Sequence, residues 1–358
     1  MLYHLLYPLS DAISAFNVVR YLTFRTIGAA LTALLIAFVV GPLLIRLLEN
    51  RQIGQTIRED TPDRHQEKTG TPTMGGVLVL SATVGSTLLW AEWTNAFIWV
   101  VLGVTMGCGA IGFVDDYRKA ILKHPEGIRA RTKLCWQLLI AAAAGVALHQ
   151  LPGFDAQLSV PIFKDFHPAL GWLYLPITVL FVAGFSNAVN LTDGLDGLAI
   201  GPAMICAGVM GVYAYAVGHA VIADYVDHKY VEGAGTLAIF CASLMGSSLG
   251  FLWFNTYPAS VFMGDTGSLA LGGALSTIAV IIRQELVLVV VGGIFMLEMF
   301  SVIAQVTSFK LTGRRIFRMA PIHHHYELKG WPEPQIIVRF WIISIILALV
   351  SLSVLKLR

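Results

Sequence analysis

Long apolar stretches recur along the whole chain and are separated by short polar segments. A helix needs about 20 apolar residues to cross a bilayer core, and inside lipid its backbone polar groups must be satisfied within the helix. About ten windows meet this length requirement, and they lie near 26–45, 75–93, 96–114, 134–151, 170–187, 198–217, 236–254, 261–282, 286–306 and 337–355. The pattern predicts an all-α integral membrane protein with about ten spans, the fifth of them kinked by Pro176.

Composition supports the same class of protein. Of the 358 residues, 56% are hydrophobic and only 13% are charged, which leaves too few polar side chains to cover a soluble globule. The formal net charge of +2 gives no support to a nucleic-acid partner. We therefore expect a single polytopic membrane domain over residues 1–358, in contact with membrane lipid and with no nucleic acid.

The distribution of Lys and Arg predicts how the spans are oriented. These residues concentrate in segments 46–68, 118–133 and 310–329, which follow the first, third and ninth predicted spans. Basic residues remain on the cytoplasmic side of a membrane. These three loops should therefore be cytoplasmic, and an even number of spans should place both termini on the outer side. By alternation, the loops after the fifth and seventh spans are cytoplasmic as well.

Carboxylates and amides gather in the two cytoplasmic loops that lack Lys and Arg. In the loop "NAVNLTDGLDGLA", Asn190, Asp193 and Asp196 are three residues apart, which would form one drifting polar stripe on a helix. The loop "FNTYPASVFMGDTGSLALGG" contains Asn255 and, where the eighth span begins, Asp265. Because the topology brings these groups to one membrane face, they predict a functional site rather than separate turns and helix caps.

The segment "IGFVDDYRK" adds two adjacent carboxylates, Asp115 and Asp116, to the same face. Alone they could be a solvated helix end. Because neighbouring helical residues point about 100° apart, we expect the two carboxylates to contact different groups. We expect one to face a metal ion and a lipid phosphate, and the other to hold a cation such as Lys119 or Lys133.

The acidic cluster without cysteine ligands suits a hard divalent cation such as Mg²⁺ or Mn²⁺. Mg²⁺ usually takes one or two carboxylates together with substrate phosphate oxygens, and Lys68 and Lys133 are candidate phosphate ligands. This combination predicts phosphoryl transfer to or from a lipid. In the last basic loop, the histidines of "MAPIHHHYELKGWPEP" fit contact with a phosphate or leaving group better than a zinc site. The role of Glu298, inside the ninth span, stays open.

Five segments together resemble the signature segments of the phospho-N-acetylmuramoyl-pentapeptide-transferases, a family of bacterial cell-wall enzymes: "TGTPTMGG", "VDDYRK", "NAVNLTDGLDGLA", "FNTYPASVFMGDTGSLALGG" and "APIHHHYELKGWPE". The resemblance covers nearly the whole chain. It implies ten helices in the bacterial inner membrane, both termini periplasmic, and an active site at the cytoplasmic face. The implied reaction converts UDP-N-acetylmuramoyl-pentapeptide and undecaprenyl phosphate into lipid I and UMP, with Mg²⁺.

The resemblance also implies roles for individual residues. Asp265 resembles the metal ligand, Asp115 and Asp116 resemble the pair that positions or deprotonates the lipid phosphate, and His324 is a further catalytic candidate. Phe262 resembles a stacking surface for uracil. The implied substrate-binding residues are Lys68, Lys133, Asn190, Asp193, Asp196, Asn255, Phe262, His323 and His325.

Two alternatives remain beside this interpretation. A transferase of the same superfamily would use UDP-N-acetylglucosamine instead, and the "HHHYE" segment favours the muramoyl-pentapeptide donor. A transporter would place polar groups through the membrane midplane, where Glu298 and Gln305 stand out. Homodimer formation is left open by the sequence.

Overall fold

The computed structural model describes residues 1–51, 70–124, 126–151, 153–160 and 168–356. Across these ranges the chain is mostly helical, with an isolated antiparallel bridge between Gln157 and Ala169. The helices are α1 (Leu2–Leu6), α2 (Leu22–Asn50), α3 (Gly76–Trp90), α4 (Ala96–Ala120), α5 (Ala130–Gln150), α6 (Tyr174–Thr192), α7 (Ile200–Val217), α8 (Ala220–Tyr225), α9 (Leu237–Asn255), α10 (Gly264–Ile281), α11 (Glu285–Val291), α12 (Gly293–Thr312), α13 (Ile322–Glu327) and α14 (Glu333–Ser353).

The prediction of an all-α membrane protein is confirmed. Within the described ranges, nine helices are long and apolar enough to cross a membrane: α2, α4, α5, α6, α7, α9, α10, α12 and α14. The apolar helix α3 has 15 residues, fewer than those nine, and it occupies the position of the second predicted span. The apolar windows of the sequence therefore mark the correct parts of the chain.

Two local predictions about the spans are wrong. The ninth span was expected to be continuous over 286–306, but it is divided into α11 and α12 at Gly292. Glycine is a poor helix former, and here the ring of Phe185 packs so closely that a Cβ on Gly292 would overlap it. Pro176 does not kink the fifth span, because it is the third residue of α6, where a backbone N–H has no acceptor within the helix.

Helix α10 is the central helix of the bundle. Of its apolar window, 89% is buried, the largest share among the candidate spans that the structure describes. Small residues allow its neighbours to approach closely, as is usual between membrane helices. A Cβ on Gly112 of α4 would overlap the backbone of Asp265, and a Cβ on Gly76 of α3 would overlap the backbone of Gly267. The N-terminal turn of α10 is thus held in van der Waals contact with α3 and α4.

Replacing Gly112 with alanine should destabilise the protein, because the new methyl group has to displace backbone atoms of α10. Overpacking of this kind costs about 1–3 kcal/mol, so the thermal unfolding midpoint of the purified Gly112→Ala variant should fall by several degrees. Gly103 is the matched control, since it lies on the same helix and its Cβ would meet nothing within 4 Å. Equal midpoints for Gly112→Ala and Gly103→Ala would contradict this packing.

Candidate active site

Asp116 joins the end of α4 to the beginning of α10. Its Oδ1 accepts a hydrogen bond from the Asp265 N–H at 3.1 Å. Its Oδ2 accepts from the Thr266 N–H at 2.9 Å and from the Thr266 hydroxyl at 2.6 Å. The first N–H groups of a helix have no acceptor within that helix, and a carboxylate there also interacts favourably with the helix dipole. The buried Asp116 side chain therefore caps α10 from a different helix.

Asp265 lies in the first turn of α10 and is surrounded by donors from three other helices. Asn190 of α6 donates from Nδ2 to its Oδ1 at 2.8 Å. Its Oδ2 lies 2.5 Å from Nζ of Lys133, at the start of α5, and 3.3 Å from Nζ of Lys119, at the end of α4. Asp265 is the point at which these helices meet.

Asp115 has different partners from Asp116, in agreement with the 100° separation of adjacent helical residues. Its Oδ2 lies 2.5 Å from Nζ of Lys119 and 3.2 Å from Nζ of Lys133, and its Oδ1 accepts from the Ile128 N–H at 2.6 Å. Asp115 therefore holds the two lysines and the loop before α5, whereas Asp116 holds α10. The prediction that one of the pair binds Lys119 or Lys133 is confirmed.

Asp115, Asp116 and Asp265 could bind a metal ion together. One carboxylate oxygen from each lies within 4.8 Å of the others. The donor set contains only oxygen, which suits hard cations such as Mg²⁺. Three carboxylates also exceed the two ammonium groups beside them, so that the cluster retains negative charge for a cation. Each of the three carboxylates has three donors, but those of Asp116 are two backbone N–H groups and a hydroxyl group in the first turn of α10, whereas two of the three donors at Asp115 and at Asp265 are lysine ammonium groups. Asp116 is therefore the least available of the three.

The predicted polar stripe after the fifth span is only partly formed. Helix α6 ends at Thr192, so Asn190 reaches Asp265 from the helix whereas Asp193 and Asp196 lie in the following turns. The Asp196 carboxylate turns elsewhere and accepts the Ala259 N–H at 3.0 Å. The condition for one polar stripe, a helix that continues to Asp196, is therefore not met, because the chain leaves the helix in the glycine-containing segment that follows Thr192.

Asp193 remains close to the aspartate cluster electrostatically. Burial raises the pKa of its carboxyl well above the usual range, and the charges of Asp265 and Asp116 act in the same direction. The Gly264 N–H opposes this shift in the pKa. The half-buried Asp193 side chain thus experiences the excess negative charge of the cluster.

Asn255 and Phe262 connect the loops around the aspartate cluster. The buried Asn255 side chain accepts the Gly197 N–H at 3.0 Å and donates to the Val261 carbonyl at 2.8 Å. The backbone N–H of Phe262 donates to Pro72 at 2.8 Å, and its ring is half-buried. The structure thus gives Asn255 a role in joining two loops, in addition to the predicted contact with substrate.

The three adjacent histidines have three different environments on α13. His323 is fully buried, with Nδ1 3.1 Å from a carboxylate oxygen of Glu298. His324 places Nδ1 2.6 Å from the Glu327 carboxylate. Nδ1 of His325 accepts the Arg318 N–H at 3.0 Å, and burial, Lys329 and Arg318 all lower the pKa of its imidazole. In the described part of the chain, these rings do not converge on a common metal position.

Sequence reasoning missed some of these contacts. Thr266 was not singled out, although it provides two of the three hydrogen bonds to Asp116. Lys119 was expected to pair only with one of the two adjacent carboxylates, and its contact with Asp265 of α10 at 3.3 Å was missed. The predicted substrate ligand Lys68 lies outside the described residues.

Comparison with known proteins identifies the family that has these motifs. A family model described as "Glycosyl transferase family 4" matches residues 98–283. A phospho-N-acetylmuramoyl-pentapeptide-transferase from Pelobacter propionicus is 59% identical over 358 residues, covering all of both chains. Relatives with the same name from Geobacter sp. (strain M21) and Syntrophus aciditrophicus are 58% and 56% identical, again over the full length of both. The chain belongs to the phospho-N-acetylmuramoyl-pentapeptide-transferase family.

Family membership confirms the resemblance found in the sequence. The matched segment 98–283 includes all three aspartates of the cluster, together with Asn190 and Asp193. The histidines follow this segment and are covered by the full-length relatives. The chain is thus a membrane-embedded transferase, and the transporter alternative is set aside.

Replacing Asp116 with asparagine should loosen the contact between α4 and α10. An amide retains one acceptor oxygen and places its NH₂ group against backbone N–H donors, so we expect a loss of about 1–3 kcal/mol, seen as a lower thermal unfolding midpoint. Thr266→Val is the matched variant, because it removes only the hydroxyl hydrogen bond and should have a smaller effect. A midpoint for Asp116→Asn no lower than that for Thr266→Val would exclude the capping role.

Proposed function

We propose that this protein transfers phospho-N-acetylmuramoyl-pentapeptide from UDP-N-acetylmuramoyl-pentapeptide to undecaprenyl phosphate, forming lipid I and releasing UMP. A phosphate oxygen of the lipid forms a bond to the sugar-linked phosphorus, and the bond from that phosphorus to UMP breaks. The main support is the cluster of Asp115, Asp116 and Asp265 beside Lys119 and Lys133, in a chain that shares 56–59% identity with relatives named for this transfer.

We propose Mg²⁺ as the cofactor, with Asp265 as its principal ligand. Oxygen-only donors and the excess negative charge of the cluster support this choice. Asp115 is the second candidate ligand, because Asp116 is engaged in capping α10. When bound, the ion would neutralise charge on the phosphate oxygens of the two substrates.

Lys119 and Lys133 provide the positive charge on the protein side of the reaction. Both ammonium groups contact Asp115 and Asp265 and can turn toward the phosphates of a bound substrate. The lipid phosphate already has nucleophilic oxygens near neutral pH, so orientation and charge neutralisation can supply the catalysis without removal of a proton by a base. We assign Asp193, Asp196, Asn255 and Phe262 to the nucleotide side of the site, and His324 and His325 to the sugar-diphosphate side.

The proposed topology places this site at the cytoplasmic face of the bacterial inner membrane, with both chain termini in the periplasm. The C-terminal ends of α4, α6 and α9 and the N-terminal ends of α5 and α10 all contribute residues to the site or to its surrounding loops. Two residues of the site, Lys119 and Lys133, belong to the basic segment 118–133. Because segments rich in Lys and Arg remain on the cytoplasmic side, this supports a cytoplasmic location for the site.

The proposed function is tested by UMP release from purified protein given undecaprenyl phosphate and one UDP-sugar at a time. UDP-N-acetylmuramoyl-pentapeptide should support turnover, and UDP-N-acetylglucosamine should not. Chelation by EDTA should abolish UMP release, and Mg²⁺ should restore it. Turnover with the acetylglucosamine donor alone would instead support the alternative substrate.

Asp265→Asn should reduce turnover by at least about 100-fold, because the substitution removes the carboxylate that we assign to the metal and its phosphates. Asp155→Asn is a suitable control: its carboxylate pairs with Lys229 and takes no part in the aspartate cluster. Both variants should insert into the membrane and remain folded. A near wild-type rate for Asp265→Asn would remove this residue from the metal role.

A further inference from the structure

Two fully buried side chains, Glu298 of α12 and His323 of α13, face each other. Nδ1 of His323 lies 3.1 Å from Oε1 of Glu298, and both residues are 0% exposed. In the described part of the chain, neither ring nitrogen and neither carboxylate oxygen has a partner in hydrogen-bonding geometry, so the pairing of the two side chains rests on their proximity. Because buried polar groups without partners are costly, this close approach is the main polar compensation that each side chain has.

The opposite edge of the His323 ring rests against Gly194. A Cβ on Gly194 would overlap Nε2 of His323 and would lie 2.9 Å from its Cε1. The backbone of Gly194 is not in the left-handed region, so glycine is required here by the space that the ring occupies. Gly194 directly follows Asp193 in the loop after α6. The ring therefore lies between a buried carboxylate and the loop that we assign to the nucleotide.

Helix α13 depends on contacts of this kind for its position. It has only six residues, and helices this short have little stability of their own. His323 is the one fully buried residue in α13. The contact with Glu298 thus connects α13 to the long helix α12. The contact with Gly194 connects α13 to the loop between α6 and α7, residues 193–199, which we call the acidic loop.

We propose that Glu298 is a positioning residue, which holds Nδ1 of His323 so that Nε2 stays against Gly194 and the acidic loop keeps its shape for the UDP-linked donor. This inference rests on the proposed function, because the donor is what the loop is assigned to bind. Glu298 touches no substrate in this account and acts only through His323.

The contact itself is tested without activity, by a double-variant cycle on thermal unfolding midpoints. Glu298→Ala and His323→Ala should each lower the midpoint, and the double variant should lower it by clearly less than the sum, because each single change removes the same contact. Glu285→Ala is the matched control: Glu285 is also 0% exposed, but it pairs with Tyr174. When Glu285→Ala is combined with His323→Ala, the decreases in the unfolding midpoint should therefore be additive. Additive effects for Glu298→Ala and His323→Ala would overturn the proposal.

The functional part is tested by steady-state kinetics with each substrate varied in turn. Glu298→Ala and Gly194→Ala should each raise KM for the UDP-linked donor about tenfold and leave KM for undecaprenyl phosphate within about twofold. Glu298→Gln keeps an oxygen that can face Nδ1, and it should restore the donor KM to within about threefold of the wild type. Gly184→Ala is the control for Gly194→Ala, because Gly184 lies on α6 and its Cβ would meet nothing within 4 Å.

An unchanged donor KM in Glu298→Ala, or an equal rise in both KM values, would overturn the positioning role. A Glu298→Gln variant as impaired as Glu298→Ala would do the same, since the inference depends on ring orientation. If the wild type itself releases no UMP from either donor, the proposed function fails. In that case the unfolding cycle still decides whether Glu298 positions His323.

Discussion

The hydrogen bonds between the Asp116 carboxylate and the first turn of α10 are the constraint on which the candidate site depends. They join α10, the most buried of the candidate spans that the structure describes, to the C-terminal end of α4. Close packing at Gly112 makes this geometry possible, because any larger residue would separate the two helices. Once α10 is fixed in this way, Asp265 in its first turn has a single position relative to Asp115.

The charges around Asp265 follow from that position. Three carboxylates within 4.8 Å would repel each other strongly in a low-dielectric environment. Lys119, Lys133 and the helix N-terminus reduce this repulsion, and the amide of Asn190 stabilises Asp265 further. Burial raises the pKa of the Asp193 carboxyl, and the same excess negative charge adds to this shift. A site balanced in this manner favours an incoming divalent cation and leaves the lysines available for phosphate groups.

The loops around the cluster are held by side chains that point into the protein. Asn255 joins the backbone at Gly197 to that at Val261, and Asp196 accepts the Ala259 N–H. His323 adds α13 to this arrangement through its contacts with Glu298 and Gly194. Several polar residues of the signature segments thus have a structural role next to the chemistry. This explains why a segment such as "NAVNLTDGLDGLA" contains more polar groups than a metal site alone requires.

The sequence by itself determined the fold class, the approximate positions of the spans and the three aspartates that meet at one end of the bundle. These features follow from local properties: apolar runs of membrane length, basic segments, and carboxylates placed at the ends of those runs. The family could also be identified from the signature segments, since several long motifs together are highly specific.

Only the tertiary structure decided which of the adjacent carboxylates caps α10 and which binds the lysines. It also decided where α6 ends, that the ninth span divides at Gly292, and that Glu298 faces His323. Each of these outcomes depends on groups far apart in the chain: Thr266 for Asp116, the Phe185 ring for Gly292, and α13 for Glu298. Residue spacing predicts the direction in which each side chain leaves its own helix. Which group that side chain contacts is decided by how the helices pack against each other.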